Sequence, residues 1–156
     1  LMAESQVQMS GLPYLIIRTG WLFGSYNAKT DFVLDRIRDA DTAKFLSSNI
    51  SQIGNPTFTK SLVEQVLLLL QLQKTGTFNC VNAAAGISRY EYTQKILASA
   101  GFSKEVRPVE GSFFNRVASV SNNESAINEK LLLQSQNIMP SWDLALGTYI
   151  KERLAL

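Results

Sequence analysis

The 156 residues include no histidine. That removes every Ser-His and Cys-His mechanism and most zinc sites from consideration, and no metal site is expected. Cysteine is nearly absent as well. Cys80 stands alone, so no intramolecular disulfide can form, and its place in the apolar run TFNCVN reads as a buried structural thiol. A reducing, cytoplasmic location is the matching expectation. Long apolar runs are missing too: the longest, VLLLL at 66–70, is far too short to span a bilayer, and no signal-peptide pattern is visible. No membrane partner is therefore expected. Charge of one sign is also scarce. Fifteen basic against thirteen acidic residues leave a net +2, with Lys and Arg scattered along the chain, which argues against nucleic acid as a partner. There is no GxGxxG or GxxGxxG turn to cradle a pyrophosphate and no Tyr-x-x-x-Lys.

What is present is an ordinary globular composition, 46% hydrophobic and 18% charged, at a length that suits one domain with a real core. PYLIIRTG (13–20) reads as a strand buried on both faces, flanked by Pro13 and Gly20. DFVLDRIRDA (31–40) reads as an amphipathic helix capped by Asp31. A weak strand at 42–49 and a loop at 51–60, punctuated by Gly54 and Pro56, lead into a strongly apolar helix at 59–73. Thr59 is its candidate cap, and its composition predicts deep burial or a subunit interface, so a homodimer is one expectation. A second strand covers 76–83, and Ser88 with Glu91 makes a capping box for a helix at 88–101 that stops at Gly101. A Pro108-containing edge strand spans 104–110, and helices cover 128–137 and 140–154. Strands alternating with helices predict an α/β fold. The chain opens at Leu1 inside a helical pattern with no cap before it, and reads as a piece of a longer protein.

Four stretches carry a resemblance: IIRTGWLFG (16–24), SQIGNPTFTKSL (51–62), GTFNCVNAAAGISRYEYTQKIL (76–97) and MPSWDLALGTYI (139–150). In this order and spacing they resemble the dTDP-4-dehydrorhamnose reductase family of extended short-chain dehydrogenase/reductases, over nearly the whole chain. The resemblance implies the C-terminal part of a Rossmann-type reductase, with a few mainly parallel strands and a small helical substrate-binding lobe. It implies a nucleotide-sugar substrate, and NADP or NAD in the full-length parent but no cofactor for this part alone. In the family's pattern LMAE would follow the Tyr-x-x-x-Lys motif, with Glu4 four residues after the lysine. The N-terminal cofactor-binding half, and with it any catalytic residue, would then lie outside residues 1–156, which are expected to be inactive alone. Tyr92 and Lys95 have Tyr-x-x-Lys spacing, one residue short, inside a capped helix.

Ligands of open α/β sheets bind beyond the carboxyl ends of the strands, where Arg18, Thr19 and Trp21 fall. By resemblance this strand end borders the nicotinamide, through Arg18 and Thr19, and the sugar, through Thr19 and Trp21. An indole offers an apolar face and an N–H donor to a sugar. Trp21 serves equally as core at a sheet edge, and Arg18 as a structural partner of a carboxylate. The loop SQIGNPT resembles the family's cleft lining, which makes Gln52, Asn55 and Thr57 substrate-binding candidates, against a plain loop that caps the next helix. Phe32 is a candidate contact for the base or a core residue. The resemblance implies a serine, as in most relatives, where Gly20 stands and the usual Arg-Pro pair where this chain has Ser121 and Asn122, with Arg107 and Arg116 out of register. The pair would face the diphosphate, because a guanidinium forks onto phosphate oxygens. Its loss favours one rival, a non-catalytic partner-binding relative; the other rival is a sugar-nucleotide epimerase or dehydratase, whose usual Asn-Val-Tyr-Gly-Pro version of the 20–24 segment is absent from GWLFGS. Tyr90 and Tyr92 read as a half-buried helix face, and Trp142 as a packing anchor.

Overall fold

A computed structural model describes residues 2–25, 31–114 and 120–154. The α/β expectation holds. Helix α1 (Met2–Met9) leads into β1 (Leu15–Arg18) and β2 (Trp21–Phe23); α2 (Phe32–Thr42), β3 (Leu46–Asn49), β4 (Ile53–Gly54) and β5 (Pro56–Phe58) follow. Then come α3 (Thr59–Gln71), β6 (Gly76–Asn79), β7 (Ile87–Ser88), α4 (Arg89–Ser99) and β8 (Val106–Val109). A 3-10 turn (Gly111–Phe113), α5 (Glu129–Leu133) and α6 (Trp142–Leu154) complete the described chain. Among the described residues β1 pairs with β6, β2 with β5 and β3 with β8, all parallel, and only β4 with β7 is antiparallel. The loop read at 51–60 thus contains two short strands. The second of them, β5, carries no alternating pattern because Pro56, Thr57 and Phe58 are all buried.

The main core joins α2, α4 and α6 to β2 and β5 through aromatic packing. Phe23 stacks on Phe58 with centroids 5.4 Å apart and meets Tyr149 edge-on at 5.7 Å, while Tyr92 meets Trp142 at 6.1 Å. Each such pair adds about 1 kcal/mol beyond its buried area. Trp142 is the packing anchor the sequence suggested. Tyr92 is not half-buried: only 1% of it is exposed, and its hydroxyl has no hydrogen-bond partner among the described residues. Burial, ahead of the nearby Asp31 charge, raises its phenol well above the ordinary range. Cys80 is fully buried with Leu69, Phe78 and Leu131, and burial pushes its thiol up to about 11.

Local signals place two helices as expected. Asp31 caps α2 by accepting from the Val33 and Leu34 amides, and its second oxygen accepts from Gly24 N at 2.6 Å and from the Tyr149 hydroxyl at 3.4 Å. One carboxylate therefore ties β2, α2 and α6 together. Ser88 and Glu91 form the full capping box of α4, and Gly101 takes φ +80 behind it.

Helix α3 departs from expectation twice. Thr59 does not cap it; its hydroxyl donates to Gly24 O at 2.8 Å, because α3 follows β5 without a loop. Nor is α3 deeply buried. Its inner face is Ser61, Gln65 and Leu69, while Val63, Leu67 and Leu70 are more than half exposed. The buried polar Gln65 is satisfied by donating to Gln136 O and accepting from Ile138 N. Apolar composition therefore overstated the burial of this helix and gave no sign of which face turns inward. No helix among the described residues is long and apolar enough to cross a membrane.

The loop after β6 holds Ala84 at φ +100. A Cβ in that region costs about 1–2 kcal/mol, which glycine would avoid. Ala84→Gly is expected to stabilise the protein by about 1 kcal/mol after its extra unfolded-state entropy is deducted. Urea unfolding checks this, and a loss of stability would show that the strain is absent.

Candidate functional site

The chain leaves β1 at Arg18 and enters β2 at Trp21 by pressing Gly20 against Asn55. A Cβ at Gly20 would lie 2.3 Å from the Asn55 carbonyl oxygen, which instead accepts from Trp21 N at 2.8 Å. A side chain at position 20 does not fit this backbone. The close approach swings the chain from the β1–β6 pair to the β2–β5 pair and sets the Trp21 indole above Gly54. Gly54 has no room for a side chain either, since its Cβ would lie 2.3 Å from Trp21 Cε2.

Three further residues fix the indole. Its Nε1 donates to Glu124 Oε2 at 2.7 Å. Gln52 Nε2 donates to the same oxygen at 3.3 Å. The Arg89 guanidinium, at the first turn of α4, lies 3.5 Å from the indole centroid and 4.7 Å from that of Phe32. Phe32 in turn stacks on Tyr92 at 5.7 Å. The result is a layered stack of indole, guanidinium, phenyl and phenol, with a carboxylate at the indole edge.

Glu124 is carried there by a strap, residues 122–128, laid along β4 and the loop after β6. Asn122 O accepts from Ile53 N, Glu124 N donates to Ile53 O, and Ala126 N donates to Asn55 Oδ1. Asn128 ends the strap by accepting from Val81 N at 2.9 Å and donating to Val81 O at 2.8 Å. Beside the strap opens a cavity of about 580 Å³. Asn49, Ser51, Gln52, Glu110, Ser121 and Asn122 are among the residues that line it. Asn49 Oδ1 accepts from Ser51 N, Ser51 Oγ and Gln52 N, which holds the wall's turn closed. Gln52 is 5% exposed, and its Oε1 is buried without a partner among the described residues.

Of the sequence candidates, the structure brings Trp21, Phe32 and Gln52 into one cluster. Asn55 and Thr57 lie beneath it, fully buried. Asn55 donates to Ala84 O and accepts from Ala126 N; Thr57 donates to Asn55 O and accepts from Asn82 N. Their side chains position the loop and strap. Thr19 is exposed at the end of β1. Arg18 grips Glu4 of α1 with two hydrogen bonds, of 2.6 and 3.0 Å, and this pairing holds the Glu4 carboxyl below its usual range. Arg107 is paired with Glu105 and stacked on Phe45, and Arg116 falls outside the described residues. Sequence reasoning missed Arg89 and Glu124. Arg89 directly follows the Ser88 cap, a weak signal that was present. Glu124 carries none, because only the strap brings it to Trp21.

Comparison with known proteins now becomes informative. Residues 1–155 match the family described as the RmlD substrate binding domain. Spore coat polysaccharide biosynthesis protein SpsK of Bacillus subtilis (strain 168) is 26% identical over 153 residues, which cover 97% of this chain and 52% of that protein. The crystal structure of dTDP-4-dehydrorhamnose reductase from Bacillus anthracis str. Ames, in complex with NADP, superposes with a TM-score of 0.88 at 29% identity, covering 96% of this chain and 52% of that one. UDP-glucose 4-epimerase of Thermus thermophilus, in complex with NAD, superposes at 0.73 with 14% identity over 99% of this chain and 51% of that one, and so shares the fold alone. The chain spans about half the length of each relative.

Proposed function

From the premise that this chain belongs to the RmlD substrate-binding-domain family, we propose that it is the substrate-holding part of an NAD(P)-dependent reductase acting on a 4-keto sugar nucleotide. The observation that carries this reading is the Trp21 cluster beyond the end of β1, where an indole held by Glu124 and Arg89 shares the Glu124 carboxylate with Gln52, a residue that also lines a cavity of amides and hydroxyls. Such a surface suits a sugar, whose C–H face packs on an aromatic ring while its hydroxyls exchange hydrogen bonds. Trp21, Phe32 and Gln52 would face the ligand. Asn55 and Thr57 would act through the loop they hold, and Thr19 would stand at the edge nearest the reacting carbon.

No complete dinucleotide site is expected of residues 1–156 alone. No glycine-rich turn occurs in the sequence, and Arg18, the candidate cofactor contact, is occupied by Glu4. The cofactor and the catalytic pair are therefore assigned to a separate dinucleotide-binding half of the parent, and no step of hydride transfer is derived from residues 1–156. The role of this part is to bind and orient the sugar.

The test is NADPH oxidation with dTDP-4-dehydrorhamnose. The full natural polypeptide that contains this chain should turn over, and residues 1–156 alone should not. Ser121 and Asn122 at the cavity, in place of the Arg-Pro pair the family resemblance implies, favour one competing reading, a non-catalytic relative. That reading gains if the full polypeptide binds the sugar nucleotide without oxidising NADPH.

A further inference from the structure

Both faces of the Trp21 indole are covered. On one lies Gly54: a Cβ built there would stand 2.3, 2.5 and 2.7 Å from Cε2, Cζ2 and Nε1, distances that put it over the ring plane at Cε2 and not beyond the ring edge. On the other lies Arg89, its guanidinium carbon 3.5 Å from the indole centroid. The two cannot share a face. A guanidinium at that height would then be nearer to the Gly54 Cβ position than the ring is, yet the three nearest atoms all belong to Trp21. The covers differ in kind. Gly54 is main chain, paired with Ile87 across the β4–β7 ladder, and its neighbour Ile53 is bonded to the strap on both sides. The Arg89 main chain is equally fixed, since its N–H donates to Gln52 O at 3.0 Å and its carbonyl accepts from the Thr93 hydroxyl at 2.8 Å. Its side chain is long, rotatable and only partly buried, and a cation–π contact at such a position is weak.

We infer that Arg89 is a specificity-determining residue of this site: its guanidinium covers the one face of Trp21 that can be opened, and a sugar ring binds by displacing it. The inference rests on the sugar-nucleotide reading above and adds the event by which the indole becomes available. Without ligand the guanidinium keeps that face from water. A ligand takes the face only if its ring packs on the indole better than the guanidinium does. A sugar with an apolar C–H face meets that condition, and a phosphate group does not. The indole itself stays in place when Arg89 leaves, because Gly54 still supports its other face and Glu124 still holds its N–H.

The experiment follows the Arg89 Nε–H resonance in the ¹⁵N-labelled full natural polypeptide, assigned by its loss in Arg89→Ala or Arg89→Lys. Beside the indole and phenyl rings this signal is displaced by ring currents. Titration with dTDP-glucose should move it to the position of a solvated arginine, whereas dTDP, which lacks the sugar, should leave it where it is. A signal that stays displaced when dTDP-glucose binds, or that both ligands release alike, overturns the inference and leaves the sugar-nucleotide reading standing. Failure of the wild-type protein to bind dTDP-glucose overturns the sugar-nucleotide reading. Titration of Arg89→Ala with dTDP-glucose then decides the role of Arg89: binding gained by the variant upholds the cover, and no binding overturns it.

Discussion

Gly54→Ala is expected to weaken sugar-nucleotide binding by roughly thirtyfold, the effect of losing one aromatic anchor worth about 2 kcal/mol, and to lower stability by about 2 kcal/mol through overpacking. The added methyl would stand 2.3–2.7 Å from Cε2, Cζ2 and Nε1 of Trp21. The backbone cannot retreat. Gly54 is paired with Ile87 across the β4–β7 ladder, and its neighbours Ile53 and Asn55 are tied to the strap and to Trp21 N. The indole must therefore swing away, which breaks its bond to Glu124 and its stack on Arg89. Calorimetric titration of the full natural polypeptide with dTDP-glucose reads the first effect and thermal unfolding the second. Adding Trp21→Phe, with its smaller ring, should recover part of the lost stability but little of the affinity, because stability needs only the space whereas binding needs the indole. Unchanged affinity in Gly54→Ala would show that the Trp21 position is irrelevant to the ligand.

The second large effect is expected at Asn128. This residue is 5% exposed and satisfies both backbone groups of Val81, itself 2% exposed. Asn128→Ala leaves a buried N–H and a buried carbonyl without partners, at about 1–3 kcal/mol each. It also frees the end of the strap that carries Glu124. A loss of about 3 kcal/mol is expected, equivalent to a fall in Tm of about 6–12 °C at this chain length. Asn128→Asp keeps an acceptor for Val81 N but turns a buried carboxylate oxygen toward Val81 O and Asn137 Oδ1, so it should destabilise at least as much as the alanine variant. A Tm change under about 2 °C for Asn128→Ala, read by calorimetry, would show that the strap is not fastened there.

Both variants bear on how much of this protein its sequence reveals. Signals that act within one turn of helix were legible. Asp31 and Ser88 cap where they should, because a side-chain oxygen and an amide two or three residues on meet by local geometry alone. The apolar face of α3 was not, because a helix rich in leucine gives no direction to its burial. The selected face contains Ser61 and Gln65, chosen by partners at Gln136 and Ile138 far along the chain. The site divides along the same line. Trp21 and Gln52 stand in segments that carry the family resemblance. Arg89 stands in such a segment too, next to the Ser88 cap, but its stack on Trp21 is a long-range contact, and Glu124 completes the cluster across a sequence separation of 103. Asn55 and Thr57 had the right chemistry for ligand contacts, but at full burial that chemistry is directed inward, to backbone groups that would otherwise be unsatisfied.

The central claim is that the ligand sits on Trp21, and the two tryptophans of this chain make it directly measurable. Each indole N–H gives one resonance in an ¹⁵N-labelled sample. Trp142 is packed in the core at 8% exposure, and Trp21 is only partly buried, with its N–H on Glu124. Titration of the labelled full polypeptide with dTDP-glucose, with the two signals assigned by Trp21→Phe and Trp142→Phe, should shift the Trp21 resonance and leave that of Trp142 in place. A ligand that binds with the Trp21 signal unmoved would contradict the account.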